Sequence, residues 1–402
     1  MKRSARRIHR EAGADTRSRE RGVALLVVMT LLVLFTAFVA DFSYNSRVRY
    51  TMASHARDAA KAEALAQSGL RIYQLLLLLG DNAQRSLQRS PFGGMISQYI
   101  GPGSLVVKLV PCLDTQLLRF LGGGGGAPPD EDTGFMAGFL APDDAPRQEG
   151  FLTFEGDFSV CASEEATRIS LNAMARSGIE GKGARLLLQA FKREQYQPMF
   201  RSLNLTPEEL LVNIIDWADP DGTRANGQGY EDNLYNRLDE PYQAKNNGYD
   251  TVSELHLVAG MTDDLYAMVS PLVTAYTEVE TVALPITDLA TFSMLIGALA
   301  PRQFWTKDDL ARLWEQYQMN AALLPPSDAQ TFLAAIQPLH PALSSLTLKD
   351  VKALITDGKK RPKVFSLTAT GRVNGVERSL QVVVDIKKFR RRGGQLLYWR
   401  VE

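Results

Sequence analysis

Histidine and cysteine are scarce in this chain, and their scarcity excludes several kinds of site. The 402 residues include only four histidines, well separated along the sequence, and only two cysteines. Zinc sites built from these residues have few candidate ligands, and histidine-assisted nucleophilic catalysis has few candidate bases. Lysine plus arginine equals aspartate plus glutamate, at 45 each, so no net charge attracts nucleic acid or an anionic surface.

A long uncharged segment lies near the N-terminus, directly behind a basic one. Residues 1–22 carry eight basic side chains against three acidic ones and end at Gly22. The apolar run from Val23 to Ala40 has 18 residues, which is about 27 Å of helix and just enough to cross a bilayer. A polar helix-forming tract without proline follows to Leu79. The basic excess predicts a cytoplasmic N-terminus and a single membrane pass.

This arrangement resembles the class III leader of type IV pilin-like proteins. The resemblance implies that a prepilin peptidase removes residues 1–22 by cutting between Gly22 and Val23, and leaves the apolar segment attached. Methylation of the new N-terminus at Val23 is a further expectation from the family. An ordinary signal anchor that is never cleaved remains the alternative for this segment alone.

Strand-like segments on both sides of a long helical block predict an α+β fold. Residues 80–168 form the first part of a core with an antiparallel sheet, and residues 361–402 complete it. Residues 169–360 form an all-helical domain inserted between them. The segments predicted as strands are Ser104–Val110, Phe151–Ala162, Lys363–Arg372, Glu377–Ile386 and Leu396–Val401. Asn374-Gly375 lies between two of these and is a strong signal for a hairpin.

Helix starts recur in the central block with one local pattern. A threonine stands before each helix and an acidic residue follows within its first turn, which satisfies backbone N–H groups and complements the helix dipole. The four threonines are Thr206, Thr262, Thr306 and Thr347. These positions predict short helices and carry no function of their own.

Several phrases of the central block, taken together with the leader, resemble the K-type minor pseudopilins of bacterial type II secretion systems. The phrases are Ser170-Leu171-Asn172-Ala173, the stretch from Asn213 to Gly222, Tyr230-Glu231-Asp232-Asn233, Pro241 to Asn246, and Ser253 to Met261. The resemblance implies a pilin-like α/β core behind a long N-terminal transmembrane and rod helix, residues 23–79, with a large inserted helical domain.

Val27 would become the fifth residue of the processed chain. Typical pilins carry glutamate there, which neutralises the α-amino group of an adjacent subunit inside the apolar bundle, where an unpaired charge is costly. A subunit that lacks this acid suits the end of a filament, as the K-type family implies. Val27 is therefore the predicted determinant of a position at the tip.

The resemblance implies a non-enzymatic role in protein export. The protein would start assembly of the pseudopilus with the I- and J-type minor pseudopilins, above the major pseudopilin, and contact secreted substrates or the outer-membrane secretin. Its helix would anchor it in the inner membrane with the soluble part in the periplasm. The alternatives are a pseudopilin of a DNA-uptake or adhesion system and a membrane-tethered hydrolase.

The sequence offers little for either alternative. Ser253 to Val273 is similar to a helix-hairpin-helix unit, but Asp263 and Asp264 would repel a phosphate where such units bind one. The glycines at 122–126 lack the Lys-Ser/Thr that a phosphate-binding loop requires. No nucleophile, oxyanion hole or pocket signature accompanies the acidic residues.

Five carboxylates fall within 17 residues of the central block and predict a calcium site. They are Asp216, Asp219, Asp221, Glu231 and Asp232. Calcium accepts six to eight oxygen ligands in flexible geometry, and the family resemblance supports such a site. The spacing is not that of an EF-hand, since alignment on Gly222 puts Trp217 and Gln228 at ligand positions. A solvated acidic turn whose aspartates bond backbone amides is the alternative.

The two cysteines, Cys112 and Cys161, lie in or beside strand-like segments beyond the membrane run. An extracytoplasmic location would permit a disulfide between them. Two free buried cysteines fit the sequence equally well, because spacing alone does not bring the side chains together.

Overall fold

The computed structural model describes residues 8–89, 103–121, 155–237, 240–323, 326–356, 361–387 and 395–402. Its fold is α+β, as predicted, with a long N-terminal helix, many short helices and an antiparallel sheet. The helices are α1 Ile8–Arg89, α2 Leu105–Leu109, α3 Thr115–Leu121, α4 Leu171–Ser177, α5 Lys182–Phe191, α6 Gln197–Ser202, α7 Pro207–Asp216, α8 Asp232–Tyr235, α9 Asp263–Val269, α10 Leu289–Leu299, α11 Lys307–Leu323, α12 Ala329–Ile336, α13 Pro341–Ser344 and α14 Leu348–Leu354. The strands are β1 Cys112–Asp114, β2 Asp157–Glu164, β3 Ile169–Ser170, β4 Val273–Thr274, β5 Val364–Val373, β6 Val376–Asp385 and β7 Gln395–Val401.

Helix α1 continues past the predicted end at Leu79 to Arg89. Gly80 does not break it, and the lack of a side chain there allows Val106 to lie close to the helix. A Cβ atom at Gly80 would lie 2.2 Å from Val106 Cγ2. The segment Val23–Leu87 contains an 18-residue window of mean hydropathy 2.9, none of it buried, so α1 is long and apolar enough to cross a membrane.

The chain divides into two compact units. The first consists of residues 1–61 and 373–376 and contains the apolar run of α1 and the turn between β5 and β6. In that turn Asn374 and Gly375 have φ of 49° and 81°, the left-handed conformation that the predicted hairpin requires. Asn374 Nδ2 donates to Asp58 Oδ2 at 3.2 Å. The predicted hairpin is confirmed.

The second unit, residues 62–372 and 377–402, contains the sheet and the helical block. The described part of the sheet has the strand order β1-β2-β5-β6-β7. One face packs on the later part of α1, where Ala66, Leu70, Tyr73 and Leu77 recur at helical spacing and are buried. The close approach depends on Gly371, since a Cβ there would lie 1.9 Å from the carbonyl oxygen of Ala62.

The prediction of a strand at Ser104–Val110 is wrong, because α2 occupies Leu105–Leu109. Its valines pack against the core between α1 and the sheet, so tertiary packing overrides their preference for strands. The prediction at Phe151–Ala162 is correct in its second half, where β2 begins at Asp157. Residues 151–154 and the glycines at 122–126 lie outside the described residues.

A second hydrophobic cluster holds the helical block together. Its buried members all fall between Ile169 and Ile355, inside the range predicted for the inserted domain. The domain boundaries themselves stay a prediction. The predicted helix starts are confirmed, because each threonine caps a helix or exchanges hydrogen bonds with the acid three residues later. The capping threonines are Thr206, Thr262, Thr306 and Thr347.

Candidate metal site

Helix α7 delivers Asp216 to the interior of the helical block. Thr206 and Glu209 form a reciprocal capping box at its start, and Pro207 occupies the first helical position. The apolar face of α7 is buried, which fixes the rotation of the helix. Asp216 is its last residue and is 1 % exposed.

A glycine-rich loop then returns the chain to the same place. Thr223 and Tyr230 form an antiparallel bridge, and Glu231 N–H donates to the Gly222 carbonyl at 3.3 Å. Gly227 and Gly229 have φ of 73° and 94°, a conformation that side chains of L-residues rarely adopt. The loop therefore folds back on itself and carries Glu231 to the end of α7.

Three carboxylates meet where the loop closes. One oxygen from each of Asp216, Asp219 and Glu231 lies within 4.8 Å of the others. Glu231 is 1 % exposed, and neither of its carboxylate oxygens has a hydrogen-bond partner. Asp219 Oδ1 is also buried without a partner. Buried oxygens without partners are costly in a folded protein, and a bound cation would satisfy them.

Burial and neighbouring negative charges raise the pKa of all three carboxyl groups. The pKa of Glu231 is raised to about 8, first by burial and then by the charges of Asp219 and Asp216. Burial and the charges of Asp216 and Asp221 raise the pKa of Asp219 to about 6. Burial also raises the pKa of Asp216, although a hydrogen bond from Ala225 and the charge of Arg224 oppose the rise.

The other two predicted ligands lie outside this trio. Asp221 is exposed, and its Oδ1 accepts from Thr223 N–H at 2.8 Å. Asp232 Oδ1 accepts from Ala244 N–H at 3.3 Å. Both bond backbone amides, as the alternative of a solvated acidic turn expects, whereas within the trio only Asp216 does. The residues of the trio fit a hard cation such as calcium, because they present carboxylate oxygens alone.

Two residues that the sequence did not single out complete the site. Arg224 Nη2 donates to Asn213 Oδ1 at 2.7 Å, and Arg224 Nε lies 3.4 Å from Asp216 Oδ2. The signal in the sequence is the spacing of Asn213 and Asp216, since residues three apart share one face of a helix. Asn213 Nδ2 also donates to the Ala259 carbonyl at 2.9 Å, which ties α7 to the chain ahead of α9.

Aromatic side chains border the end of α7. The Trp217 ring lies 5.6 Å from that of Tyr235 and 6.2 Å from that of Tyr242, measured between centroids. Trp217 follows Asp216 directly, so its fluorescence can report changes at the site.

The remaining predicted residues lie elsewhere. Cys112 and Cys161 face each other across β1 and β2 and are joined by a disulfide. Gly22, Val23 and Val27 lie within α1, and the side chain of Val27 is 51 % exposed. Neither the predicted cleavage after Gly22 nor the role of Val27 is tested by the fold.

Comparisons with known proteins agree on one family. Residues 167–278, which include the whole acidic loop, match the family model described as "Type II secretion system (T2SS), protein K". A curated protein of Pectobacterium carotovorum subsp. carotovorum, "Type II secretion system protein K", is 24% identical over 331 residues, which cover 78% of this chain and 84% of that protein.

A solved structure gives a weaker likeness. It is a chain of the GspK-GspI-GspJ complex from the type 2 secretion system of enterotoxigenic Escherichia coli, with 21% identity and a TM-score of 0.45. The match covers 63% of this chain and 82% of that chain. Residues 167–278 thus match the protein K family of type II secretion systems, and the curated relative and the motifs of the central block support the same assignment, that of a K-type minor pseudopilin.

Proposed function

We propose that this protein occupies the tip of the type II secretion pseudopilus and starts its assembly with other minor pseudopilins. The observation that carries the proposal is Val27. Cleavage after Gly22 would make it the fifth residue, where a polymerising pilin carries an acid. A hydrocarbon side chain offers no charge to neutralise the α-amino group of a neighbouring subunit within the apolar bundle.

The helical block supports the same position. Its core extends over residues 169–355, so it forms a large addition to the sheet and α1. Such a domain would crowd neighbouring subunits inside a regular helical stack, whereas the end of the filament leaves it room. This bulk and the missing acid both support a position at the end of the filament.

The later part of α1 offers a surface for the partners of this role. Leu75 and Leu79 lie one helical turn apart and are each 56% exposed, on the side away from the sheet. Exposed apolar residues in a row favour a protein interface. We assign the I- and J-type minor pseudopilins to this face, and the major pseudopilin below them.

Anchoring and export complete the proposal. The apolar part of α1 anchors the chain in the inner membrane by a single pass, and the soluble part faces the periplasm. A prepilin peptidase removes the leader and frees Val23, whose amino group is then methylated. Contacts with secreted substrates or with the outer-membrane secretin follow from the tip position, and the role requires no catalysis.

A substitution at Val27 tests this role. Val27→Glu restores the acid of a polymerising pilin, so we expect labelled copies of the variant to appear along the shaft of sheared pseudopili in immunogold images. Val27→Leu keeps a hydrocarbon side chain and serves as the matched control, with label at one end only. Confinement of the glutamate variant to the end would contradict the role assigned to Val27.

We further propose that calcium binds at Asp216, Asp219 and Glu231 and holds the loop between α7 and α8 closed. The support is the burial of three carboxylate oxygens without partners in one cluster. A divalent cation supplies the positive charge that these oxygens lack, and Asp221 adds negative charge from the exposed side. The ion would be structural, and it would hold the loop against the end of α7.

Calcium titration of the full chain in detergent tests this site. We expect calcium to raise the melting temperature and to change Trp217 fluorescence, because a ligand that binds only the folded state stabilises it. Glu231→Gln removes one negative charge while keeping the shape of the side chain, so the apparent affinity for calcium should fall at least about ten-fold. Asp263→Asn, at an exposed position far along the chain, is the control. A melting temperature indifferent to calcium and to chelator would remove the site.

The DNA-uptake alternative gains no support from the hairpin of short helices. Thr262 caps α9, and Asp263 and Asp264 occupy its first turn. Their negative charges lie where a phosphate would bind, and they would repel it.

A further inference from the structure

Arg224 brings a positive charge into the loop that carries the acidic cluster. Its Nε lies 3.4 Å from Asp216 Oδ2, and Nη2 donates to Asn213 Oδ1 at 2.7 Å. The side chain of Arg224 is 16% exposed and that of Asp216 only 1%. The two charges are shielded from water, so they interact more strongly than a pair on the open surface does.

Backbone hydrogen bonds fix this arginine in place. Its N–H donates to the Gly229 carbonyl at 3.1 Å, and its own carbonyl accepts from Gly227 N–H at 2.7 Å. The next residue, Ala225, donates its N–H to Asp216 Oδ1 at 2.7 Å. The loop itself therefore occupies both oxygens of Asp216.

The three carboxylates of the cluster are thus unequal. Asp216 has partners for both oxygens, whereas Asp219 Oδ1 and both oxygens of Glu231 have none. An incoming cation finds free oxygens at Asp219 and Glu231, but it must share Asp216 with Arg224. It must also approach a fixed positive charge.

We propose that Arg224 is a built-in competitor of the divalent cation: it pairs with Asp216 when no ion is bound, and it lowers the affinity of the site for calcium. This inference rests on the proposed calcium site. The pairing keeps the loop attached to α7 in metal-free protein, since the positive charge of Arg224 balances the negative charge of Asp216. The same pairing weakens calcium binding, because the ion gains less from a carboxylate that already has a cation beside it.

Calorimetric calcium titration of the full chain in detergent tests the proposal with matched variants. Arg224→Gln should bind calcium at least about ten-fold more tightly, equivalent to about 1.4 kcal/mol. In chelator it should melt at a lower temperature than the unmodified chain, because Asp216 then lacks its counter-charge. Arg224→Lys keeps the charge and should change the calcium affinity by less than about two-fold. Arg201→Gln, at an exposed position on α6, is the control for loss of an arginine.

The outcomes separate this inference from the calcium site itself. An affinity of Arg224→Gln equal to or weaker than that of the unmodified chain would overturn the inference, and so would equal tightening by the lysine variant. Absence of calcium binding by the unmodified chain would instead remove the proposed site and the inference with it. If Arg224→Gln folds only when calcium is present, that result would support the stabilising role of Arg224 in metal-free protein. Arg224→Lys would then test whether the charge at this position lowers the affinity for calcium.

Discussion

Glu231 is the residue on which the candidate metal site depends most. It reaches Asp216 only because α7 ends at that aspartate and the glycine-rich loop turns back at Gly227 and Gly229. Its two carboxylate oxygens have no partner within the described part of the chain. Glu231 thus carries two buried oxygens without a partner in the metal-free protein. Substitution of this residue alone measures how much their burial destabilises the folded state.

The density of acids located the candidate site from sequence, but it could not select the trio. Asp221 and Asp232 bond backbone amides, and which acid does so depends on the path of the loop. The sequence does not mark Arg224 as part of the cluster, since an arginine between acids in a sequence is usually exposed. Its burial follows from the bonds that it makes with Asn213 and Asp216.

Stability of metal-free protein should fall as pH rises from about 5 to 8. Glu231 has a pKa of about 8 in the folded chain and 4.5 ordinarily, and Asp219 has about 6 against 3.8. Between the ordinary and the folded pKa, the folded state binds more protons than the unfolded state, so the free energy of unfolding decreases with pH. Thermal melts of the full chain in chelator across this range measure the trend.

The matched variant isolates Glu231 in that experiment. Glu231→Gln cannot ionise, so its melting temperature should depend less on pH than that of the unmodified chain. Saturating calcium should also reduce the fall, because the ion favours the ionised carboxylates. A metal-free melting temperature that is constant or rises from pH 5 to 8 would contradict the assigned burial of this carboxylate.

At the scale of elements, the sequence correctly predicts those features that depend on interactions between neighbouring residues. The Asn374-Gly375 turn and the threonine caps depend on a few adjacent residues, and they are where the sequence indicates. The segment at 104–110 differs because its valines favour a strand locally, while packing against α1 and the sheet selects α2. The end of α1 also differs from the prediction for a tertiary reason, since Gly80 allows close contact with Val106 and does not end the helix.

The packing of α1 on the sheet makes a direct prediction at Gly371. A Cβ there would lie 1.9 Å from the Ala62 carbonyl oxygen, so Gly371→Ala must push the helix and the strand apart. We expect a loss of about 1–3 kcal/mol, the usual range for overpacking. Thermal or denaturant unfolding of the full chain in detergent measures it.

Gly297 provides the matched control for that substitution. It lies within α10, and a Cβ there would meet its nearest neighbour, Gln189, at an ordinary 3.5 Å. Gly297→Ala should therefore stabilise the protein, by up to about 1 kcal/mol, because alanine favours the helix. Equal effects of the two substitutions would show that α1 does not approach the sheet as closely as described.

At the scale of the whole molecule, the order of segments along the chain predicted the architecture. Strands before and after a helical block, behind one long apolar helix, indicated an α+β fold, and the fold agrees. The position of the molecule in a filament is a different matter. It depends on partners and on the processed N-terminus, so only the chemistry of residues such as Val27 bears on it.

The location of the native protein in intact fibres tests the central claim most directly. Pseudopili that carry a tagged copy of the unmodified chain would be imaged with gold label, and the position of each particle along the fibre recorded. The account predicts label at one end of each fibre, because a subunit without the acid at its fifth position caps the filament. Label spaced regularly along the shaft would contradict it.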